Sequence, residues 1–383
     1  MARRVPLAWL QLTHEKLRLL AAVSGITFAV VMILLQLGYQ YAVLQAASLV
    51  QNSLGGEIVL MSRQYDYLMF SKQFTRRRLD QALAFDGVES TWPVFLALGQ
   101  WKNPQDLHER AIFIIGCDPA SNAIRLPGAE DWSSLRLPDQ FFFDAGSRPE
   151  FGPIPQLMRE KGSMRAEVNG RAIRVVGLFH MGASFGINGT LLTSDLNFLR
   201  VFPGHSQSLA ELGVVRLKPG ADAEKVRTAL ERGLPHDVTV LTRKQFGDQE
   251  TAYWADHTSI GYIFGLGVFM GIVVGAVIVY QILYTDVNDH MAEYATLKAI
   301  GYGHGYLASV VLKEALILSV LGYLPGLAIA DGLYILTERA TMLPVDMTPL
   351  RMVSVLLLTM GMCCGSALLA IRKLRQAHPA DIF

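Results

Sequence analysis

The chain has 383 residues, of which 51% are apolar or aromatic and 17% charged, with 34 Lys+Arg against 33 Asp+Glu and three cysteines. A soluble domain usually has about a quarter of its residues charged. The composition therefore excludes a disordered chain, a basic nucleic-acid binder and a disulfide scaffold, and a net charge of +1 forecasts no polyanionic partner. The average conceals two populations. Residues 57–257 carry 23 Lys+Arg and 24 Asp+Glu, whereas all other positions together carry 11 and 9. A segment of ordinary soluble charge density sits inside a strongly apolar frame, and the frame reads as membrane.

The chain starts with a basic tail, 1–18, containing Arg3, Arg4, Lys16 and Arg18. Residues 19–56 contain no Asp, Glu, Lys or Arg and are expected to form a first membrane helix with a stalk extension. A helix rises about 1.5 Å per residue, so about 20 residues cross a hydrocarbon core of about 30 Å. A cleaved signal peptide is the alternative, with Ala46-Ala47-Ser48 as its cleavage site. The apolar run, about 25 residues, exceeds the roughly 7–15 of a signal h-region, so an uncleaved anchor is favoured.

Residues 57–257 read as a mixed α/β domain. Glu57–Arg63 alternates, with Ile58 and Leu60 on one face and Val59 and Met61 on the other. Arg110–Gly116 reads as a short buried strand. Arg165–His180 reads as a hairpin turning at Asn169-Gly170, a pair suited to the φ > 0 positions of a type I′ turn. Gly213–Leu217, Asp222–Gly233 and Val238–Leu241 read as β-α-β, with Asp222 as N-cap and Ala223, Val226 and Leu230 as the apolar helix face. The Pro/Gly-rich stretch Leu126–Pro155 is expected to be a subdomain boundary or long loop. Leu44–Leu54 and Lys244–Ser259 are expected to be helical continuations of the adjoining spans, forming a stalk; ordinary linkers are the alternative.

The remaining spans are expected at 258–285, 306–330 and 351–372, the second of these interrupted by Lys313 and Glu314. Between them lie a loop at 286–305 and another at 331–350, and a tail follows at 373–383. Both tails are basic, the last through Arg372, Lys373 and Arg375. The positive-inside rule therefore puts both termini and 286–305 in the cytoplasm, and 57–257 and 331–350 outside it. The expected fold is an α-helical membrane protein with four transmembrane helices and a large mixed α/β extracytoplasmic domain inserted between helices 1 and 2.

Motifs for catalysis are wanting. His14-Glu15 and His108-Glu109 begin HExxH, but Arg18 and Ile112 occupy the fifth positions. Cys117 stands alone in the insert and reads as a buried strand-end residue rather than a nucleophile, and Cys363-Cys364 fall in the last span. No catalytic or metal residues are assigned. No Gly-Lys dipeptide occurs, so a Walker A loop is excluded. Arg76-Arg77-Arg78 reads as a solvated helix face, with an anionic head group or a partner as alternatives. Lys313 and Glu314 are candidate intramembrane polar residues. Either they face a protein interior or they lie near the cytoplasmic interface with Lys313 snorkelling.

The strongest functional signal is TDVNDHMAEYATLKAIGYGHG, residues 285–305. Val287, Met291, Tyr294 and Ala295 form one apolar stripe, flanked by Asp289, His290, Glu293 and Lys298, and Gly301 stops the helix expected over Asn288–Gly301. A short amphipathic helix between two spans transmits force or lies on the membrane; a simple connector is the alternative.

The segment EYATLKAIGYG, followed by KEALILSVLGYLPGLAIA, resembles the FtsX/MacB-type permease domain of ABC exporters. So do VVRLKPGADAEKVRTALERGLPHDVTVLTRKQF before the second span and the terminal HPADIF. YTDVNDHMAEYATLKAIGY is most similar to DevC-like permeases of cyanobacteria. This resemblance implies a permease without its own ATPase motif, and so not an enzyme, that binds no cofactor. ATP and Mg would sit on a separate ABC ATPase subunit (DevA-like), since the N-terminal tail leaves no room for an ATPase domain. It further implies a homodimer in the bacterial inner membrane, a membrane-fusion protein (DevB-like), a TolC-like outer-membrane channel and a lipid-like or amphiphilic cargo of the glycolipid class. Asp289, His290, Met291, Glu293, Tyr294, Lys298 and Gly301 would form the ATPase-coupling segment. MacB-like members usually carry arginines just before this glutamate. Here Asp289, His290 and Ala292 stand there, so the receiving groove should differ in charge. Two rivals share the architecture: an FtsX-like mechanotransmitting regulator of a cell-wall hydrolase, and a lipoprotein-release permease.

Overall fold

The structure, a computed structural model, describes residues 15–129, 131–184, 186–343 and 345–376. The described residues divide into two compact units, one within 15–41, 260–338 and 345–376, the other within 42–259 and 339–343. Of the basic tail residues, Arg3 and Arg4 lie outside the described residues, as does HPADIF.

The first unit is helical. Among the described residues four helices are long and apolar enough to cross a membrane: α1 (Lys16–Ala47), and further along the chain α8 (Ser259–Asp289), α10 (His304–Thr341) and α11 (Pro349–Gln376). Small residues let their backbones close up. A Cβ on Gly322 would meet Ile26 at 2.5 Å, and one on Gly275 would meet the Ala29 Cβ at 2.7 Å, so α1 lies tight against both α10 and α8. Of the α8 glycines, Gly267 and Gly271 also pack on α1, whereas Gly265 faces open space. Thr27 Oγ1 donates to the Gly322 carbonyl (3.1 Å) and Ser366 Oγ to that of Ala276 (2.9 Å), contacts that satisfy hydroxyls where water is absent. The loop expected at 331–350 is mostly helix: α10 runs on to Thr341 because no Pro or Gly stop follows Ala330 other than Gly332, and Tyr334 is buried in the bundle. Its charges, Asp331, Glu338 and Arg339, suggested a loop but sit on the helix.

The second unit is mixed α/β. A short helix α2 (Leu49–Ser53) leads to β1 (Ile58–Ser62), β2 (Phe74–Thr75), α3 (Arg77–Ala82), β3 (Val88–Lys102) and β4 (Glu109–Gly116). Then come β5 (Gln140–Asp144), α4 (Ile154–Lys161), β6 (Met164–Val168), β7 (Arg171–Phe179), β8 (Thr190–Thr193) and α5 (Asp195–Val201). The unit ends with β9 (Leu209–Ala210), β10 (Leu212–Leu217), α6 (Ala223–Gly233), β11 (Val238–Thr242) and α7 (Arg243–Asp256). Nine strands form one sheet in the order β11-β1-β10-β3-β4-β8-β5-β7-β6, with β2 and β9 paired separately.

The 15-residue β3 organises this sheet. Its first half pairs with β10 and its second half with β4, while Trp101 and Lys102 also meet β6. Strands β3, β4, β8, β5, β7 and β6 thereby form a closed circuit, and Phe95, Trp101, Ile112, Phe141, Phe143 and Leu191 share a core cluster. The other half packs α6 and α3 against β1, β10 and β11 through Leu79, Val226 and Leu230. The expected β-α-β is present, with β1 inserted between and antiparallel to its two strands. All five β1 residues are buried, because β1 is a central strand covered on both faces. The hairpin turns as expected, with φ of 51° at Asn169 and 73° at Gly170. Asp222 caps α6 through the Glu224 and Lys225 amides (3.0 and 3.2 Å). The expected boundary at Leu126–Pro155 is instead structured: β5, QFFFD, lies between β8 and β7. The stalk segments are helical, but Ser48 separates α1 from α2, and His257-Thr258 separate α7 from α8.

Glu250 on α7, 2% exposed, accepts from the Tyr65 hydroxyl (2.8 Å) and the Leu68 amide (3.1 Å), pinning the loop after β1 to the helix. Burial raises its carboxyl above the ordinary value near 4.5. The folded state then keeps a proton that the unfolded chain has lost, and stability falls as pH rises through that window. Glu250→Gln retains an acceptor for Leu68 and removes the titration. Denaturation midpoints from about pH 4 to about pH 8 should therefore show the parent chain losing stability relative to Glu250→Gln as pH rises. Parallel curves would contradict this.

Candidate functional site

The loop expected to couple, 286–305, is built by two helices. Helix α8 continues past the apolar stretch to Asp289, and α9 (Met291–Ala299) follows after a break at His290. The expected single helix over Asn288–Gly301 is thus divided, with His290 (φ −91°, ψ 12°) outside helical geometry. Gly301, at φ +107°, ends α9: its amide donates to Lys298 O and that of Tyr302 to Leu297 O, both at 3.1 Å. This is a Schellman stop, which needs a residue free of Cβ strain at that position.

The apolar stripe is buried against the spans. Val287 and Tyr294 belong to the span core with Leu283, Val311 and Ala315, and Met291 and Leu297 pack on it. The opposite side of α9 exposes Ala292, Glu293, Thr296 and Ala299. Among the described residues Glu293 and Lys298 form no ion pair.

Beneath α9 lies a charged cluster contributed by three helices. Arg18 of α1 donates through Nη2 to Asp289 Oδ2 (2.5 Å), pairs through Nε with Glu15 (3.0 Å), and has Nη1 3.7 Å from Asp286 Oδ1. His290 Nδ1 lies 3.6 Å from the same Asp286 oxygen. Asp286 is 6% exposed. From α10, the fully buried Glu314 faces Asp286. No N–H donor reaches Asp286 Oδ2 or either Glu314 oxygen among the described residues, so these two carboxyls have each other as neighbours. A cavity of about 10 Å³, room for about one water, lies between Glu15, Arg18, Leu19 and Asp286. Among the described residues no group of three or more His, Cys, Asp and Glu side chains is placed to hold a metal ion.

Asp289 and His290 of the expected segment therefore join the cluster, Met291 and Tyr294 bury, Glu293 stays on the exposed face and Gly301 is the stop. The Lys313-Glu314 pair divides: Lys313 is exposed and Glu314 faces the protein interior. Sequence reasoning missed Arg18 and Asp286 as site residues, having read them as a topology marker and a loop charge. A signal was present: each lies at the end of an uncharged run, where a lone ionisable group needs a partner.

The other candidates fall outside this site. Arg78 forks onto Asp237 (3.0–3.1 Å) and is half-buried, as is Arg76 just before α3, so of the triplet only Arg77 lies on a solvated face. Cys117 is fully buried after β4, and burial pushes its thiol up, away from the reactive thiolate.

Residues 265–379 match the family described as FtsX-like permease C-terminal. That stretch contains most of α8 and all of α9, α10 and α11, and none of the α/β domain. Comparison with curated proteins returns no match. Among solved structures, the extracellular domain of the noncanonic ABC-type transporter YknZ from Gram-positive bacteria is similar at 13% identity and a TM-score of 0.34, covering 49% of this chain and 100% of that one. The periplasmic region of MacB from Actinobacillus actinomycetemcomitans is similar at 13% identity and a TM-score of 0.35, covering 51% and 92%.

The cluster predicts unequal costs of substitution. Removing one partner of a buried ion pair costs about 3–5 kcal/mol. Arg18 is a quarter exposed, so Arg18→Met should cost less, about 2 kcal/mol. Asp289 is 44% exposed, and Asp289→Asn should cost under about 1 kcal/mol. Thermal unfolding of the purified chain in detergent checks the order; equal effects would contradict the cluster.

Proposed function

We propose that this chain is the permease subunit of a DevC/MacB-type ABC exporter. It would transmit ATP-driven motion from a separate ATPase to the α/β domain in order to move a lipid-like or amphiphilic substrate. The observation that carries the reading is α9. It lies inside the segment matching FtsX-like permeases, its apolar side is packed into the spans, and its Ala292–Glu293–Thr296 side is uncovered. A helix anchored on one side and bare on the other is suited to receive a partner at the membrane surface.

In this reading α9 and both termini are cytoplasmic, and residues 57–257 face the periplasm. The ATPase partner holds ATP and Mg and hydrolyses ATP. Its groove presents basic groups to Glu293, because the surrounding positions Asp289, His290 and Ala292 supply no arginine. Movement of α9 pulls directly on α8, to which it is joined at His290, and α8 in turn is tied to α1 by the pairs of Arg18 with Asp286 and Asp289. Two copies of the chain, a membrane-fusion protein and an outer-membrane channel would complete the pathway. The glycolipid class of cargo rests on the DevC-like resemblance of the coupling segment.

Affinity purification of the full chain from its native membranes tests the proposal. An ABC ATPase and a membrane-fusion protein should copurify, and Glu293→Lys should reduce ATPase recovery at least about tenfold, since reversing an interfacial charge partner costs several kcal/mol. Recovery of the chain without any ATPase, in every nucleotide condition, would overturn the proposal. Copurification of a cell-wall hydrolase in place of the fusion protein would replace export with regulation.

A further inference from the structure

The loop between β1 and β2 carries an aromatic group that nothing above uses. Its residues pack along α7. Tyr65 packs edge-on against Phe246 (centroids 5.6 Å apart), Leu68 and Tyr65 bond to Glu250, and Tyr67 stacks on Tyr253 at 4.5 Å with rings 15° apart. Tyr67 also meets Trp254 edge-on (5.8 Å) and Phe70 (5.2 Å), and Tyr253 stacks on His257 (5.6 Å, 7°). Tyr67 thus meets the last turn of α7, at Tyr253 and Trp254, while Tyr65 and Leu68 meet it further back, at Phe246 and Glu250. Phe70, packed on Tyr67, is 60% exposed. Asp66, Lys72 and Asp256 around the group are exposed as well.

The chain restricts where this group can be. Tyr253 precedes Ser259, the first residue of α8, by six positions. At helical rise that is about 9 Å, and at full extension about 22 Å. The polar zone on each side of a bilayer core is about 5–8 Å deep. Tyr and Trp concentrate in that zone, since each offers an apolar ring and a polar tip. A phenylalanine left 60% exposed beside two tyrosines and a tryptophan, tethered this close to a span, has the composition of an interfacial anchor.

We propose that Tyr67, Phe70, Tyr253 and Trp254 form a lipid-docking platform, with Phe70 inserted at the headgroup–acyl boundary of the leaflet that α8 enters at Ser259. Glu250 acts as the positioning residue that holds the loop on α7. The platform ties the loop after β1 to the bilayer independently of the covalent link through α8. The inference rests on α8 crossing the membrane and not on the exporter reading.

The test places a thiol-reactive, environment-sensitive fluorophore on Phe70→Cys, on Ser71→Cys and, as a remote control, on Glu160→Cys, in the full chain in phospholipid nanodiscs. The native cysteines are buried or half-buried, so the unsubstituted chain supplies the labelling blank. Phospholipid carrying a shallow acyl-chain spin label should quench positions 70 and 71 severalfold more than position 160, and aqueous iodide should show the reverse order. Adding Glu250→Ala should lower lipid quenching at 70, while Glu250→Gln should preserve it. Iodide quenching at 70 equal to that at 160 would overturn the proposal. Protection at 70 from both quenchers would also overturn it, by showing that a second copy or another protein covers the surface.

Discussion

A charge at the rim of an apolar helix bundle has to find its counter-charge within the protein, and Arg18 is where this chain meets that requirement. Its guanidinium reaches Glu15, just before its own helix, and both Asp286 and Asp289 on α8. Without it, the buried Asp286 would face the buried carboxyl of Glu314 with only His290 as a basic neighbour, and the part-exposed Asp289 would lose its partner. Arg18 therefore fixes the C-terminal end of α8, and with it the direction in which α9 leaves. The break at His290 and the glycine stop at Gly301 then define a short rigid helix whose buried stripe is a continuation of the span core. The exposed side of α9 is available because its other side is spent on this packing.

The α/β unit is governed by a different constraint, strand length. A 15-residue β3 is long enough to serve both halves of the nine-stranded sheet, one closing on itself around Trp101, Phe141 and Phe143, the other packed beneath α3 and α6. Both ends of the unit return to the membrane through helices. A Cβ on Gly247 of α7 would stand 3.9 Å from the Cβ atoms of Ser48 and Gln51, so the helices that lead in and out lie side by side.

How much of this was legible in the sequence depended on the range of the interaction. The four spans were visible because hydropathy is a local sum, and the Asn169-Gly170 turn and the Asp222 cap because each is set by a few neighbouring residues. The extension of α10 to Thr341 was hidden by charges that a helix carries on an outward face. β5 was hidden because Pro and Gly surround QFFFD, while its place in the sheet depends on β8 and β7, whose partner residues are far along the chain. The coupling helix could be found from its apolar stripe and terminal glycine. Arg18 and Asp286 could not be joined in the same way, since about 270 positions separate them and no periodicity links them. Lys313 and Glu314 look alike as an adjacent pair, yet a helix turns neighbours about 100° apart, which sends one outward and the other inward.

The account rests on α9 being the surface that meets an ATPase. A photo-reactive amino acid placed at Thr296, on the exposed side of α9, and activated in native membranes gives the most direct test. The account predicts a crosslinked adduct containing an ABC ATPase, absent when the photo-reactive residue is placed at the buried Ala295. Adducts at Thr296 only with lipid, or only with a second copy of this chain, would contradict it.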